Sequence, residues 1–127
     1  PSSGFARLRL KIANMCPKDI EEHYEYLVTN YHRMSKTDFV AYDEETEKLW
    51  QKYRSTVYGK VINFLYAPDT EAKLSYGTAR NLLKIIGDYD DNVFYGYAEW
   101  GNKAFRFKDF KEILKDAYQG TKHWGWR

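Results

Sequence analysis

The chain has one cysteine, Cys16, among its 127 residues. This excludes an internal disulfide framework and a cysteine-rich zinc site. Long apolar runs are missing too: no stretch approaches the roughly 18 consecutive apolar residues of a membrane span. No basic start, apolar core and small-residue cleavage site stand in order, so no secretory leader is expected and the cytoplasm is the expected compartment. Glycine is not arranged to cradle phosphate, because Tyr58-Gly59-Lys60 and Tyr76-Gly77-Thr78 lack the spacing. Gly-x-Ser-x-Gly, His-Glu-x-x-His and Cys-x-x-Cys are absent as well. These absences remove the familiar catalytic sets, so neither enzymatic activity, nor a cofactor, nor a metal is expected. Aliphatic side chains are scarce: Leu, Ile and Val total twenty.

What stands in their place is aromatic. Twelve Tyr, seven Phe and four Trp outnumber the aliphatic residues. Each ring buries a large area, and Tyr and Trp carry a polar tip that needs a partner or water. The length fits one soluble domain over 1–127, with Pro1–Gly4 read as a processed or appended end and set aside. Net charge is only +2, but it is unevenly spread. Residues 1–18 and 101–127 are each basic, and 19–100 is acidic. The simplest reading is that the basic ends pack beside the acidic middle; the sharper one is a basic face for an acidic partner.

Periodicity divides the chain. Phe5, Leu8, Ile12 and Met15 recur at helical spacing, although Leu8, Leu10 and Ile12 also alternate as a strand would; the helix is preferred. Pro17 can open a second helix, running to about Met34, with Ile20, Tyr24, Leu27, Tyr31 and Met34 along one face. Acidic side chains load its first turn, where the helix dipole favours them. Ser35-Lys36-Thr37 reads as a loop. A long helix is then predicted from about Asp43 to Tyr66, striped by Leu49, Tyr53, Val57, Val61 and Leu65. Gly59 within it costs about 1 kcal/mol against Ala and marks a close approach of another element. A shorter helix spans about Ser75–Ile86, with Gly87 just past its end.

After the acidic turn 88–92 the period changes to two. Val93–Trp100 and Lys103–Phe107 read as a hairpin turned by Gly101-Asn102, followed by a helix over Lys108–Tyr118. His123–Arg127 can add a third strand. The expected fold class is therefore α+β: about four to five helices with a small antiparallel hairpin or three-stranded sheet near the C-terminus.

Individual reactive residues carry little. His23 and His32 are nine positions apart, which at about 100° per residue points them to opposite faces. His23 reads as half-buried packing and His32 as solvated. Cys16 beside Pro17 and Lys18 could have a lowered thiol pKa at a helix start, with His123 or His32 as a base, but a small apolar residue at a helix junction is the plainer reading. Asp88, Asp90 and Asp91 resemble a calcium-ligand run but lack the loop glycine and distal glutamate.

Phe5, Tyr24, Tyr31, Trp50, Tyr53 and Phe64 fall on helical stripes and are expected inside. The concentrated remainder is residues 89–127, with eleven rings and seven Lys or Arg. Rings beside cations suit a protein-binding hot spot. The expected role is thus a small interaction protein, such as an inhibitor or immunity-type antagonist, whose partner is another protein. Its candidate contact residues are Tyr95, Tyr97, Trp100, Arg106, Trp124 and Trp126. The alternative is RNA or single-stranded nucleic acid bound by the same segment. No membrane contact is expected.

Overall fold

The computed structural model describes residues 3–67, 74–98 and 103–119. Six helices and one two-stranded sheet follow in chain order among them: α1 (Ser3–Ala13), α2 (Lys18–Asn30), α3 (Lys36–Tyr53), α4 (Val57–Tyr66), α5 (Tyr76–Ile86), β1 (Phe94–Ala98), β2 (Lys103–Arg106) and α6 (Phe107–Gln119). The α+β class is as expected, with the sheet near the C-terminus. The possible third strand at His123–Arg127 lies outside the described residues.

The N-terminal pattern resolves as a helix: Phe5, Leu8 and Ile12 are buried along one stripe of α1. Pro17 caps α2 in an extended conformation, with Lys18 as the first helical residue. Helix α2 ends at Asn30 and tightens into a 3₁₀ turn over Tyr31–Arg33. That turn rotates Tyr31 off the inward face, and the ring is 51% exposed instead of joining the core.

The predicted long helix is two helices, and the first begins well before Asp43. Ser35 is the reason for the early start. Its hydroxyl accepts from the Asp38 N–H at 3.1 Å, and the Asp38 carboxylate accepts from the Ser35 N–H at 2.9 Å. This reciprocal capping satisfies two orphan donors of α3. The break comes at 54–56. Thr56 donates to the Tyr53 carbonyl at 2.7 Å and accepts from the Tyr58 N–H at 3.1 Å, closing one helix and opening the next. Gly59 makes the turn possible. A Cβ there would stand 2.8 Å from Arg54 Cα, so the close approach is by the chain's own turn, not a separate element.

Helix α5 opens at Ser75, whose hydroxyl accepts from the Thr78 N–H at 3.2 Å, and closes at Gly87 with φ +56°. Strands β1 and β2 pair antiparallel, Phe94 opposite Arg106 and Tyr97 opposite Ala104, with a register irregularity between Phe94 and Tyr97. Helix α6 follows β2 without a linker; the Asp109 carboxylate accepts from the Arg106 N–H at 2.8 Å and serves as its cap.

The core gathers the apolar faces of α1, α4, α5 and α6, with Phe107, Phe110, Leu8, Ile12, Leu65 and Leu82 fully enclosed. Helices α2 and α3 pack outside α1 and α4. Asp19 ties them at one end, accepting from Tyr53 Oη at 2.8 Å and from Lys52 Nζ at 2.7 Å. No helix among the described residues is long and apolar enough to cross a membrane.

Candidate functional site

Two surfaces merit construction from their residues: the C-terminal ribbon expected from sequence, and a cleft that the sequence does not reveal. On the ribbon, alternation sends neighbouring side chains to opposite sides. Phe105 faces the core and Arg106 faces solvent. Phe94, 46% exposed, lies directly opposite, and the Arg106 guanidinium stands 4.7 Å over its ring. Arg7 of α1 donates to the Phe94 carbonyl at 2.6 Å and so fixes this end of β1 to the first helix.

Tyr95 does not join that surface. Its ring is only 2% exposed and packs against Phe107 at 6.1 Å. Strand alternation is the cause, since Phe94 takes the outer face and Tyr95 the inner. Its hydroxyl donates to Asp91, which also accepts from Tyr89 Oη and the Val93 N–H, each at 2.9 Å. Burial pushes the Asp91 carboxyl up, but these donors and nearby Lys11 outweigh it and hold the group below its ordinary value. The acidic turn is therefore a fastening for tyrosines. The side chain of Tyr97, and Trp100, Trp124 and Trp126 whole, lie outside the described residues. Of the six expected contacts, Arg106 is the one the described surface presents.

The cleft lies between α1, α2 and α4. It encloses about 480 Å³ and is lined by Ala6, Arg9, Tyr24, Leu27, Val28, Tyr31, His32, Leu65 and Tyr66. Volume and apolar lining fall in the range of binding clefts. Arg9 is 6% exposed despite its charge; its guanidinium lies 4.3 Å over the Phe5 ring and donates to the Ala67 carbonyl at 2.6 Å. Val28 and Tyr31 form an exposed rim. Tyr31 continues it toward α3 by meeting Phe39 edge-on at 5.6 Å, next to exposed Val40.

Behind this rim stands a polar network with a defined direction. Tyr42 Oη donates to the His23 carbonyl at 2.7 Å, which uses its one proton. Tyr66 must then be the donor in the 2.8 Å contact between the two phenols. Thr46 donates to the Tyr42 carbonyl at 2.9 Å, so His23 Nε2–H donates to Thr46 Oγ1 at 2.7 Å. The His23 ring stacks on Tyr42 with centroids 3.9 Å apart. Burial lowers the His23 pKa, against the upward pull of Glu45 and Asp43. Burial likewise raises the phenols of Tyr42 and Tyr66, keeping them protonated.

His23 is thus the half-buried packing residue expected, and His32 is exposed at the cleft rim. Cys16 donates to the Ile12 carbonyl at 3.4 Å, and burial, helped by Glu21, pushes its thiol up to about 12. A thiol so protonated is no nucleophile at neutral pH. Among the described residues no three His, Cys, Asp or Glu side chains group to hold a metal.

Comparison with known proteins finds no family model, curated protein or solved structure that matches the chain. The cleft was hidden from sequence because Ala6, Val28 and Leu65 come from separate helices. A partial signal existed in Val28, one turn after Tyr24, which widens the Ile20–Tyr24–Leu27 stripe beyond what the core covers.

Proposed function

We propose that this chain is a protein-binding module that receives apolar side chains of a partner in the α1–α2–α4 cleft. The observation that carries the reading is the exposed rim of Val28 and Tyr31 above an apolar cleft. Large exposed apolar residues grouped at a concavity mark interaction sites more often than isolated ones do. Tyr at the rim suits such a role, because its rigid ring contributes area at small entropic cost and its hydroxyl stays hydrated. The ribbon supplies a second, smaller contact through Phe94 and Arg106, to which Tyr97, Trp100, Trp124 and Trp126 are added as candidates. An inhibitor or immunity-type antagonist is the class of interaction protein this describes.

The test is affinity capture with the tagged chain, comparing wild type with Val28→Asp and Tyr31→Ala. Both positions are exposed, so the helical circular dichroism and melting temperature should stay near wild type. A partner retained by wild type should be lost with Val28→Asp and reduced with Tyr31→Ala. Equal recovery by all three proteins would reject the cleft as the docking site. Arg106→Ala reports on the ribbon separately and should weaken capture without abolishing it.

A further inference from the structure

Far from the cleft in sequence, α5 and α6 bring two tyrosines together on the surface. Tyr76 opens α5 and Tyr118 lies in the last turn of α6. Their rings stack with centroids 5.0 Å apart and planes 15° from parallel. They remain 57% and 39% exposed, so the pair is not a core contact. Ring stacking exposed in this way leaves aromatic faces open to a further planar group.

Among the described residues, α4 and α5 bring cations toward the pair. Lys60 of α4 drapes along Gly77: a Cβ at Gly77 would stand 2.9 Å from Lys60 Cε and 3.1 Å from its Nζ. The ammonium thus lies at the start of α5, next to the residue that follows Tyr76. Arg80 follows Tyr76 by one helical turn; the hydrogen bond with Tyr118 raises the Tyr76 phenol, and the Arg80 charge pulls against it. Lys84 continues the row a turn further on. Neither α4 nor α5 contains an Asp or Glu. Helix α6 is balanced in sign, and its Lys115 stands 3.8 Å from Glu112. The chain as a whole is nearly neutral, so acid-free helices beside an open ring pair are a local feature.

We infer that the Tyr76–Tyr118 pair, flanked by Lys60 and Arg80, is a docking platform for single-stranded nucleic acid. Bases stack on the open phenol faces and the cations hold neighbouring phosphates, the two components of sequence-tolerant single-strand binding. An acidic peptide would satisfy the cations, but it carries a stacking side chain only at scattered positions, whereas a strand offers a planar base beside every phosphate, so paired rings beside cations favour the strand. This surface is separate from the cleft and stands independently of the protein-binding reading.

The experiment is fluorescence anisotropy with a labelled mixed-sequence single strand of about 20 nucleotides, as DNA and as RNA, and with the corresponding duplex. The wild-type chain should bind the single strand more tightly than the duplex, and binding should fall steeply with added salt. Tyr76→Leu and Tyr118→Leu keep an apolar side chain and remove the ring; each should weaken binding by about tenfold. Tyr76→Phe should retain it. Lys60→Gln with Arg80→Gln should weaken binding and flatten the salt dependence. Absence of single-strand binding at low salt would overturn the proposal. Equal affinity for the duplex, or loss with the cation variants but not with the leucine variants, would overturn it as well, the latter pointing to an acidic protein partner.

Discussion

His23 shows how one side chain couples burial to proton binding. Its ring is stacked on Tyr42, and Nε2–H is committed to Thr46, so acid adds a proton at Nδ1. Because the folded pKa lies below the ordinary 6.5, the unfolded chain takes up this proton first. Stability from this group is therefore complete above about pH 6.5 and is lost as pH falls from there toward the lowered folded value. Urea denaturation at about pH 7.5 and about pH 5 should show the wild type less stable at the lower pH, and His23→Gln should remove part of that difference. Unchanged pH dependence in His23→Gln would exclude His23 as its source. Asp19 and Asp91 act in a different window: both carboxyls are held below the ordinary 3.8, so their contributions fade only in stronger acid. Cys16 makes the matching prediction for reactivity. With its thiol pushed up to about 12, alkylation by iodoacetamide at neutral pH should be slow in the native protein and rapid in denaturant. Comparable rates in both states would contradict the half-buried placement. The modest reading of both residues was legible because each sat beside an apolar stripe with no matched partner. The inward face of Tyr95 was legible only from its alternation with Phe94, and the weight of neighbouring rings concealed it.

At the scale of the element, boundaries rest on single hydroxyls and one hydrogen atom. Ser35→Ala should cost about 1 kcal/mol by removing the cap of α3. Asp38→Ala should cost a similar amount, and the double variant less than the sum, since the two side chains cap each other. Additive losses in urea denaturation would mean that the pair does not act as one cap. Gly59 separates two opposing effects. In a free helix, Gly→Ala gains about 1 kcal/mol from propensity alone. Here the added methyl would stand 2.8 Å from Arg54 Cα, so Gly59→Ala should instead destabilise by about 1–3 kcal/mol. A stabilised variant would show that the turn at 54–56 can relax. These positions explain which parts of the fold the pattern revealed. Helical stripes are set by spacing, which reads directly from Leu8 and Ile12 or from Leu82 and Ile86. The break between α3 and α4 is set by Thr56 and by the room at Gly59, while Val57, Val61 and Leu65 continue the stripe across it. Periodicity survives the interruption because the turn is short, so the long helix looked continuous.

Across the whole molecule, the aromatic excess divides between enclosure and display. Phe107 stands where β2 passes into α6 and is fully buried, meeting Tyr89 at 5.1 Å and Phe110 at 6.0 Å. Phe107→Ala should cost about 3–5 kcal/mol, read as a lower denaturation midpoint with an unchanged slope. A loss under about 1 kcal/mol would mean that the core refills the space. Tyr31, Phe94 and the stacked pair of Tyr76 and Tyr118, by contrast, lie open on the surface. Neither the cleft nor the tyrosine pair could be read from the chain, because each is assembled from helices distant in sequence. The bond from Arg7 to the Phe94 carbonyl joins residues 87 positions apart, and α1 packs directly on β1. Translation delivers these partners in turn. At about 5–20 residues per second, α1 emerges several seconds to some seventeen seconds ahead of the strand that covers it. During that interval α1 lacks the strand it packs on, and transiently exposed apolar surface of this kind is what chaperones act on.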